Sequence, residues 1–310
     1  MNRARVLFLA VLMMASSAWA LPLGSAARVV IPSDIQQIIS VDYRTMKDSN
    51  TAMALKAQVL PENLKQFEAA LKGMGIDPEK DVDQLTFASY RMKQSVRVMG
   101  VAQGAFSGKA VIKKMTLRKI KPVKYRTADI YPMSNGMEMS FLEEDTLLFG
   151  DHAAMKDALD ARDGYISTLD SNNQVVDMIG SVDSGTVWSV LDQQGTQNMM
   201  RSALGDASKL GDYETVKKRL LGSRYTMNFN NGVNFDLDVL TSDSVTAATL
   251  STLVQAGMLY RKMSASATEK VALENVKVNS DSSNIQFHFK TDDKQFQALL
   301  HSDLFAAVSK

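Results

Sequence analysis

The chain holds three imidazoles, His152, His288 and His301, and no cysteine. None of the histidines stands in a His-x-x-x-His or His-Glu-x-x-His spacing, the pattern that places two ligands on one helix face. His152 follows a helix-capping aspartate. His288 lies between Phe287 and Phe289, and His301 falls on the polar side of a helix. Surface or rim imidazoles occupy such positions. Lack of cysteine rules out thiol catalysis, zinc–thiolate sites and redox pairs. No Gly-x-Ser-x-Gly or Ser-x-x-Lys signature occurs, and no glycine-rich loop precedes a helix. The sequence therefore calls for no cofactor and names no catalytic group, although a dispersed hydrolase-type site stays open because triads are defined by geometry.

Two further groupings carry chemistry on paper. Glu143-Glu144-Asp145 offers paired carboxylates, but glycoside hydrolysis needs them separated across a cleft. They stand between the apolar segments Met137–Phe141 and Thr146–Phe149, where a solvated hairpin turn is expected. Met133, Met137 and Met139 offer thioethers, which suit Cu(I). Met137, Met139 and Phe141 also alternate as the core face of a strand does, and methionine fills irregular cores. A methionine-lined groove for a lipid or peptide is the softer alternative.

Charge gives the clearest binding candidate. Residues 109–126 contain eight basic side chains and no acid. The candidate anion- or partner-binding residues are Lys113, Lys114, Arg118, Lys119, Lys121, Lys124 and Arg126. A basic stretch attracts anionic lipid headgroups, polysaccharide or an acidic protein. Few aromatics interleave the charges, which argues against nucleic acid. The competing expectation is a solvated face, or a basic strand facing the acidic residues 138–163.

The elements that must position these groups follow from periodicity. Ile38–Arg44 reads as a strand. Pro61–Met74 reads as a helix with Leu64, Phe67, Leu71 and Met74 on one face and Gly75 as its stop. Leu85–Met92 and Ser95–Gln103 form a hairpin, with Val96, Val98 and Val101 as the apolar positions of its second strand. A helix over Ser107–Leu117 and strands at Tyr125–Met133, Gly136–Phe141 and Thr146–Phe149 follow. Asp151 caps a helix to about Ala161.

In the second half, Thr186–Leu191 is a strand, and Gln197–Leu204 and Tyr213–Leu221 are helices. Arg224–Phe229 and Val233–Leu240 flank Asn230-Asn231-Gly232, a hairpin turn signal. Val233, Phe235, Leu237 and Val239 alternate with polar residues, as a half-buried strand requires. Ser244–Met263 is a long helix, too rich in Thr, Ser and Gln to span a membrane and expected to be buried. Glu274–Asn279 and Asn284–Lys290 are the last strands, and Asp292 caps a final helix with Phe296, Leu299, Leu300 and Phe305 inward.

Both halves read β–α–ββ–α–ββ–α. At an offset of 135, Asp77, Glu79, Leu85, Tyr90 and Met92 recur as Asp212, Glu214, Leu220, Tyr225 and Met227. At an offset of 141, Leu148, Asp151, Met155 and Leu159 recur as Phe289, Asp292, Phe296 and Leu300. The expected class is α+β: two similar units with mainly antiparallel sheets covered by helices, each with its own sheet or both sharing one.

The N-terminus reads as a secretory signal peptide over residues 1–20, with Arg3 and Arg5, an apolar run from Val6 to Met14, and Ala18-Trp19-Ala20 before the cut. A loose leader over 21–30, a first unit over 31–165 and a second over 166–310 complete the plan. Cleavage removes two arginines and turns the formal charge from +1 to −1, so no global field steers nucleic acid or a membrane. A cysteine-free exported chain rests on its packed core.

The segment from Met137 to Asp160 runs strand, acidic turn, strand, Gly-Asp and then a helix ending Ala-Leu-Asp. It is similar to exported bacterial proteins of uncharacterised families with duplicated α+β units. That resemblance implies a bacterial, diderm origin and brings no known activity or site residues. The expected function is a non-catalytic binding module of the cell envelope, periplasmic or secreted, whose partner is an envelope protein, lipid or glycan. The alternatives are a carrier of an apolar ligand in a groove under the sheet and a hydrolase-type enzyme.

Overall fold

The computed structural model describes residues 23–59, 62–133, 136–182, 185–205 and 213–302. The signal peptide, Pro61, Asp212 and Phe305 lie outside the described residues, as do the side chains of Leu64 and Phe67. The strands are β1 (Ile35–Asp42), β2 (Val82–Met92), β3 (Ser95–Gly104), β4 (Val123–Tyr125), β5 (Ala128–Pro132), β6 (Met137–Glu143), β7 (Thr146–Asp151), β8 (Val187–Leu191), β9 (Leu220–Asn228), β10 (Val233–Thr241), β11 (Val276–Asp281) and β12 (Asn284–Thr291). The helices are α1 (Ser25–Val30), α2 (Tyr43–Met46), α3 (Asn50–Val59), α4 (Glu62–Met74), α5 (Pro78–Asp81), α6 (Gly108–Leu117), α7 (His152–Arg162), α8 (Asn173–Gly180), α9 (Gln193–Leu204), α10 (Tyr213–Lys217), α11 (Ser244–Ser264), α12 (Ala267–Glu274) and α13 (Asp293–Leu300).

Among the described residues, twelve strands form one antiparallel sheet in the order β11-β12-β10-β9-β8-β1-β2-β3-β7-β6-β5-β4. The class is α+β. The halves meet where β1 pairs β8, from Gln37 opposite Leu191 to Val41 opposite Val187. Outward from that seam the order is β1-β2-β3-β7-β6 on one side and β8-β9-β10-β12-β11 on the other. The Asn230-Asn231-Gly232 turn sits where expected, with Asn231 at φ 57° and Gly232 at φ 95°. A Cβ on Gly232 would also collide with the Thr291 carbonyl at 2.3 Å, so glycine is required twice over.

Two adjacent rows of cross-strand neighbours explain how the sheet is covered. Leu147, Ala102, Leu85, Val41, Val187, Met227, Phe235, Phe289 and Val276 are successive partners across nine strands. Opposed residues share a face, so this face is apolar from end to end. The next row runs Leu148, Val101, Thr86, Ser40, Trp188, Thr226, Asp236, His288 and Lys277. It points the other way and turns from apolar to polar along the sheet. The first half and the adjoining β8 are therefore sandwiched: α1, α7 and the second half's α8 pack on one face around Ile38, Ala88 and Val190, and α4 and α6 pack on the other around Leu85 and Phe149. In the second half, α9 to α13 cluster on the apolar face around Val233, Val239 and Ile285. The opposite face carries Arg224 paired with Asp238 at 3.0 Å and His288 against Asp236 at 2.6 Å.

Several expectations need correction. Residues 23–30 are not loose, as the expected leader over 21–30 would have them: α1 buries Ala27 and Val30, and Leu23 before it is buried too, in the cluster that holds Ala154 and Ala158 of α7. Val96 and Val98 are exposed, because β3 meets β7 only from Met99 onward and the hairpin tip projects past it. The long helix is buried only in its first half, at Ala247, Leu250 and Val254. The residue matches at fixed offset also divide. Leu148 and Phe289 stand on opposite faces of the sheet. The helices that follow them do too, α7 packing beside Leu148 and α13 beside Phe289.

Candidate functional site

The basic segment forms a corner at the outer edge of the first half. Ser107 caps α6 through the Ala110 N–H at 3.3 Å. Glu144, from the β6–β7 turn, reaches the same helix start and accepts from the Ser107 hydroxyl at 2.6 Å and the Lys109 N–H at 3.2 Å. Those two donors, the hydroxyl first, hold the Glu144 carboxyl below the usual range. The acidic triplet is thus the expected turn, with one member serving as an anchor at a positive helix end.

At the other end α6 closes with a Schellman arrangement. Ile120 N–H donates to the Met115 carbonyl and Lys119 N–H to that of Thr116, both at 3.0 Å. Lys119 takes φ 58°, the left-handed conformation in which glycine is usual. The chain then passes Lys121 and Pro122 into β4, which pairs with β5 from Val123 opposite Ile130 to Tyr125 opposite Ala128.

The structure divides the seven candidate cations. Arg126 is committed to the fold: it bonds Asp160 at 2.8 Å and stacks over Tyr165, 3.4 Å from the ring centre. Tyr125 donates to the same carboxylate at 2.9 Å. Arg118 donates to the Gly73 carbonyl at 2.7 Å, and the Lys114 ammonium lies against Gly75. Both satisfy the negative C-terminal end of α4. Lys124 stands opposite Asp129 in the β4–β5 register. Lys113, Lys119 and Lys121 are exposed, and no acid pairs with them among the described residues. Leu117 and Val123 are exposed beside them.

The other candidates settle elsewhere. Met133, Met137 and Met139 pack in the cluster with Tyr131, Leu147 and Phe149. His152 meets Glu138 at 3.0 Å on the surface. His301 lies at an open cleft of about 460 Å³ between α3 and α13, with Ala54, Ala57 and Leu300. A second open cleft of about 310 Å³ lies between α11 and β11. One buried polar cluster escapes sequence reasoning: Lys56 of α3 pairs with Glu68 of α4 at 2.6 Å, and Tyr43 donates to the same carboxylate. Burial, with the Glu68 hydrogen bond, pushes the Tyr43 hydroxyl well above its ordinary range. Its three members are far apart in sequence, and no spacing marks them.

No family model and no curated protein matches the sequence. Among solved structures, crystal forms I and III of TP0453 are similar, each at a TM-score of 0.50 and 8% identity. The matches cover 89% and 88% of this chain and 97% and 96% of those chains. The likeness is one of fold.

Proposed function

We propose that the chain is a non-catalytic binding module of the bacterial cell envelope that engages an anionic partner through the corner at Lys113, Lys119 and Lys121. The observation that carries this reading is the division of the basic segment. Its arginines and Lys114 serve the fold, while these three lysines project from it with no neutralising acid among the described residues. Exposed Leu117 and Val123 give the corner an apolar component suited to a partner with both charge and hydrocarbon, such as an anionic lipid. The signal peptide pattern supports an envelope location, and no described helix is long and apolar enough to cross a membrane. The shared strand order outward from β1 and β8 supports two units, 31–165 and 166–310.

The test is co-sedimentation with vesicles containing phosphatidylglycerol, compared with neutral vesicles, at low and high salt. Salt-sensitive binding to the anionic vesicles alone is expected, since each neutralised contact releases counterions or is screened. Changing Lys113, Lys119 and Lys121 together to Glu should abolish it. Binding that survives the triple change ends the proposal.

A further inference from the structure

The opposite edge of the sheet points to a self-association surface. Strand β11 pairs with β12 alone, from Val276 opposite Phe289 to Asp281 opposite Asn284. Its outer row of backbone N–H and C=O groups has no strand beside it among the described residues. Proteins close such edges with short strands, prolines or bulges, because an open edge templates pairing. β11 has six residues, no proline and no register shift against its neighbour.

Helix α11 lies along this edge. Its first half packs on Val239 and Ile285, but Leu259, Tyr260 and Met263 of its second half are 66%, 59% and 82% exposed. Gln255, Met258, Leu259 and Lys262 overhang Val276 and Val278 to form the cleft of about 310 Å³. A strand added to β11 would thus meet both unpaired backbone and an apolar wall, the two elements of strand-addition recognition.

We propose that this edge binds a second copy of the chain, β11 against β11 about a two-fold axis at Asn279, which joins the two sheets into one. The charge pattern selects both the occupant and the register. Lys277, Asn279 and Asp281 share the polar face and are all exposed. No opposite charge pairs with Lys277 or Asp281 among the described residues. Antiparallel pairing centred on Asn279 sets Lys277 against the partner's Asp281 and Asp281 against the partner's Lys277. Shifting the centre to Val278 sets Lys277 against the partner's Asn279 and loses both pairs. Such self-complementarity is what an isologous two-fold contact requires. The helices agree with it. A helix lying over the outermost strands is about 5 Å from the axis, so the two α11 copies would stand about 10 Å apart, a normal packing distance.

The absence of cysteine makes the test direct. Analytical ultracentrifugation of the purified protein should give a dimer. Lys277→Asp and Asp281→Lys should each weaken it roughly tenfold by placing like charges in opposition, and the double exchange should restore it. Asn279→Cys should form an intermolecular disulfide on oxidation. Ser280→Cys should not, because the two copies of that residue lie farther apart than the roughly 7 Å a disulfide spans. All four positions are exposed, and circular dichroism of each variant is the check that it folds. A monomer throughout the soluble concentration range overturns the proposal. So does a dimer indifferent to the single charge changes, or one that the double exchange fails to restore.

Discussion

The two edges of the one sheet end in different ways. At the outer edge of the first half, β4 is three residues long, follows Pro122, and is held to α7 by the Tyr125 and Arg126 bonds to Asp160. At the outer edge of the second half, β11 is twice that length, carries no proline, and lies beneath the overhanging apolar end of α11. Both strands carry a lysine, but short length and a flanking proline, which discourage strand addition, belong to β4 alone. The first edge is therefore shut to pairing, and its spare lysines face outward. The second keeps a pairing-competent backbone beside an apolar wall. The difference follows coverage: the first half carries helices on both faces of its sheet, whereas the second, apart from α8 over β8 and β9, gathers its helices on one face and runs α11 out along the margin.

The largest effect should come from the residue under the open edge. Ile285 is fully buried beneath α11, and its backbone pairs with both Val239 and Ser280. Ile285→Ala should cost about 2–5 kcal/mol through lost burial and the cavity left behind, read as a fall in the urea midpoint. Ile130→Ala, beside β4, removes a side chain of the same size that is 2% exposed and should cost a similar amount. Under conditions where both variants stay folded, only the first should weaken self-association. Equal weakening in both would mean that the open edge is not the one that pairs.

Much of this comparison was legible in the residues. The alternation of Val233, Phe235, Leu237 and Val239 with Asn234, Asp236 and Asp238 marks a strand with one covered face, and β10 is such a strand. The caps read at Asp151 and Asp292 stand at helix starts, since each side chain answers orphan backbone donors a few residues on. Other features depended on long-range packing. α1 and α3 are rich in alanine, and short alanine-rich stretches declare a helix only once a partner surface covers them. The overhang of α11 was hidden because Leu259, Tyr260 and Met263 continue an apolar pattern whose burial ends at the sheet margin. In the basic segment, charge alone could not tell Arg126, which stacks on Tyr165, from Lys121, which meets nothing acidic among the described residues.

Acid should act on both edges through the carboxylate that opens each edge's helix. Asp243 caps α11, accepting from the Ser242 hydroxyl at 2.7 Å and from the Thr246 N–H at 2.8 Å. These bonds, that of Ser242 first, lower its pKa from 3.8 to about 2. Glu144 at α6 is lowered by its Ser107 and Lys109 donors. A carboxyl lowered in the folded state contributes stability above its unfolded pKa and loses it as pH falls through the folded value. For Asp243 that window runs from 3.8 down to about 2. Asp243→Asn keeps an acceptor without the charge. Its melting temperature should lie below that of the parent at neutral pH, with the gap narrowing through the window. A gap unchanged down to the lower limit would show that the cap's charge contributes nothing to the α11 margin.

The smallest expected effect separates binding from folding at the closed edge. Lys119 holds φ 58° at the position after α6 where the left-handed conformation burdens any side chain. Replacing it with glycine relieves that strain, but the freer unfolded chain offsets part of the gain, leaving about 0.5 kcal/mol of added stability. The same change removes one of the three lysines proposed to meet an anion. Lys119→Gly should therefore melt slightly higher than the parent while binding anionic vesicles more weakly and with a shallower salt dependence. Lys113→Ala, on the exposed side of α6, should weaken binding to a similar degree without raising the melting temperature. If Lys119→Gly gains stability and keeps full binding, the left-handed lysine serves only as a helix cap. The corner's anion site would then have to rest on Lys113 and Lys121 alone.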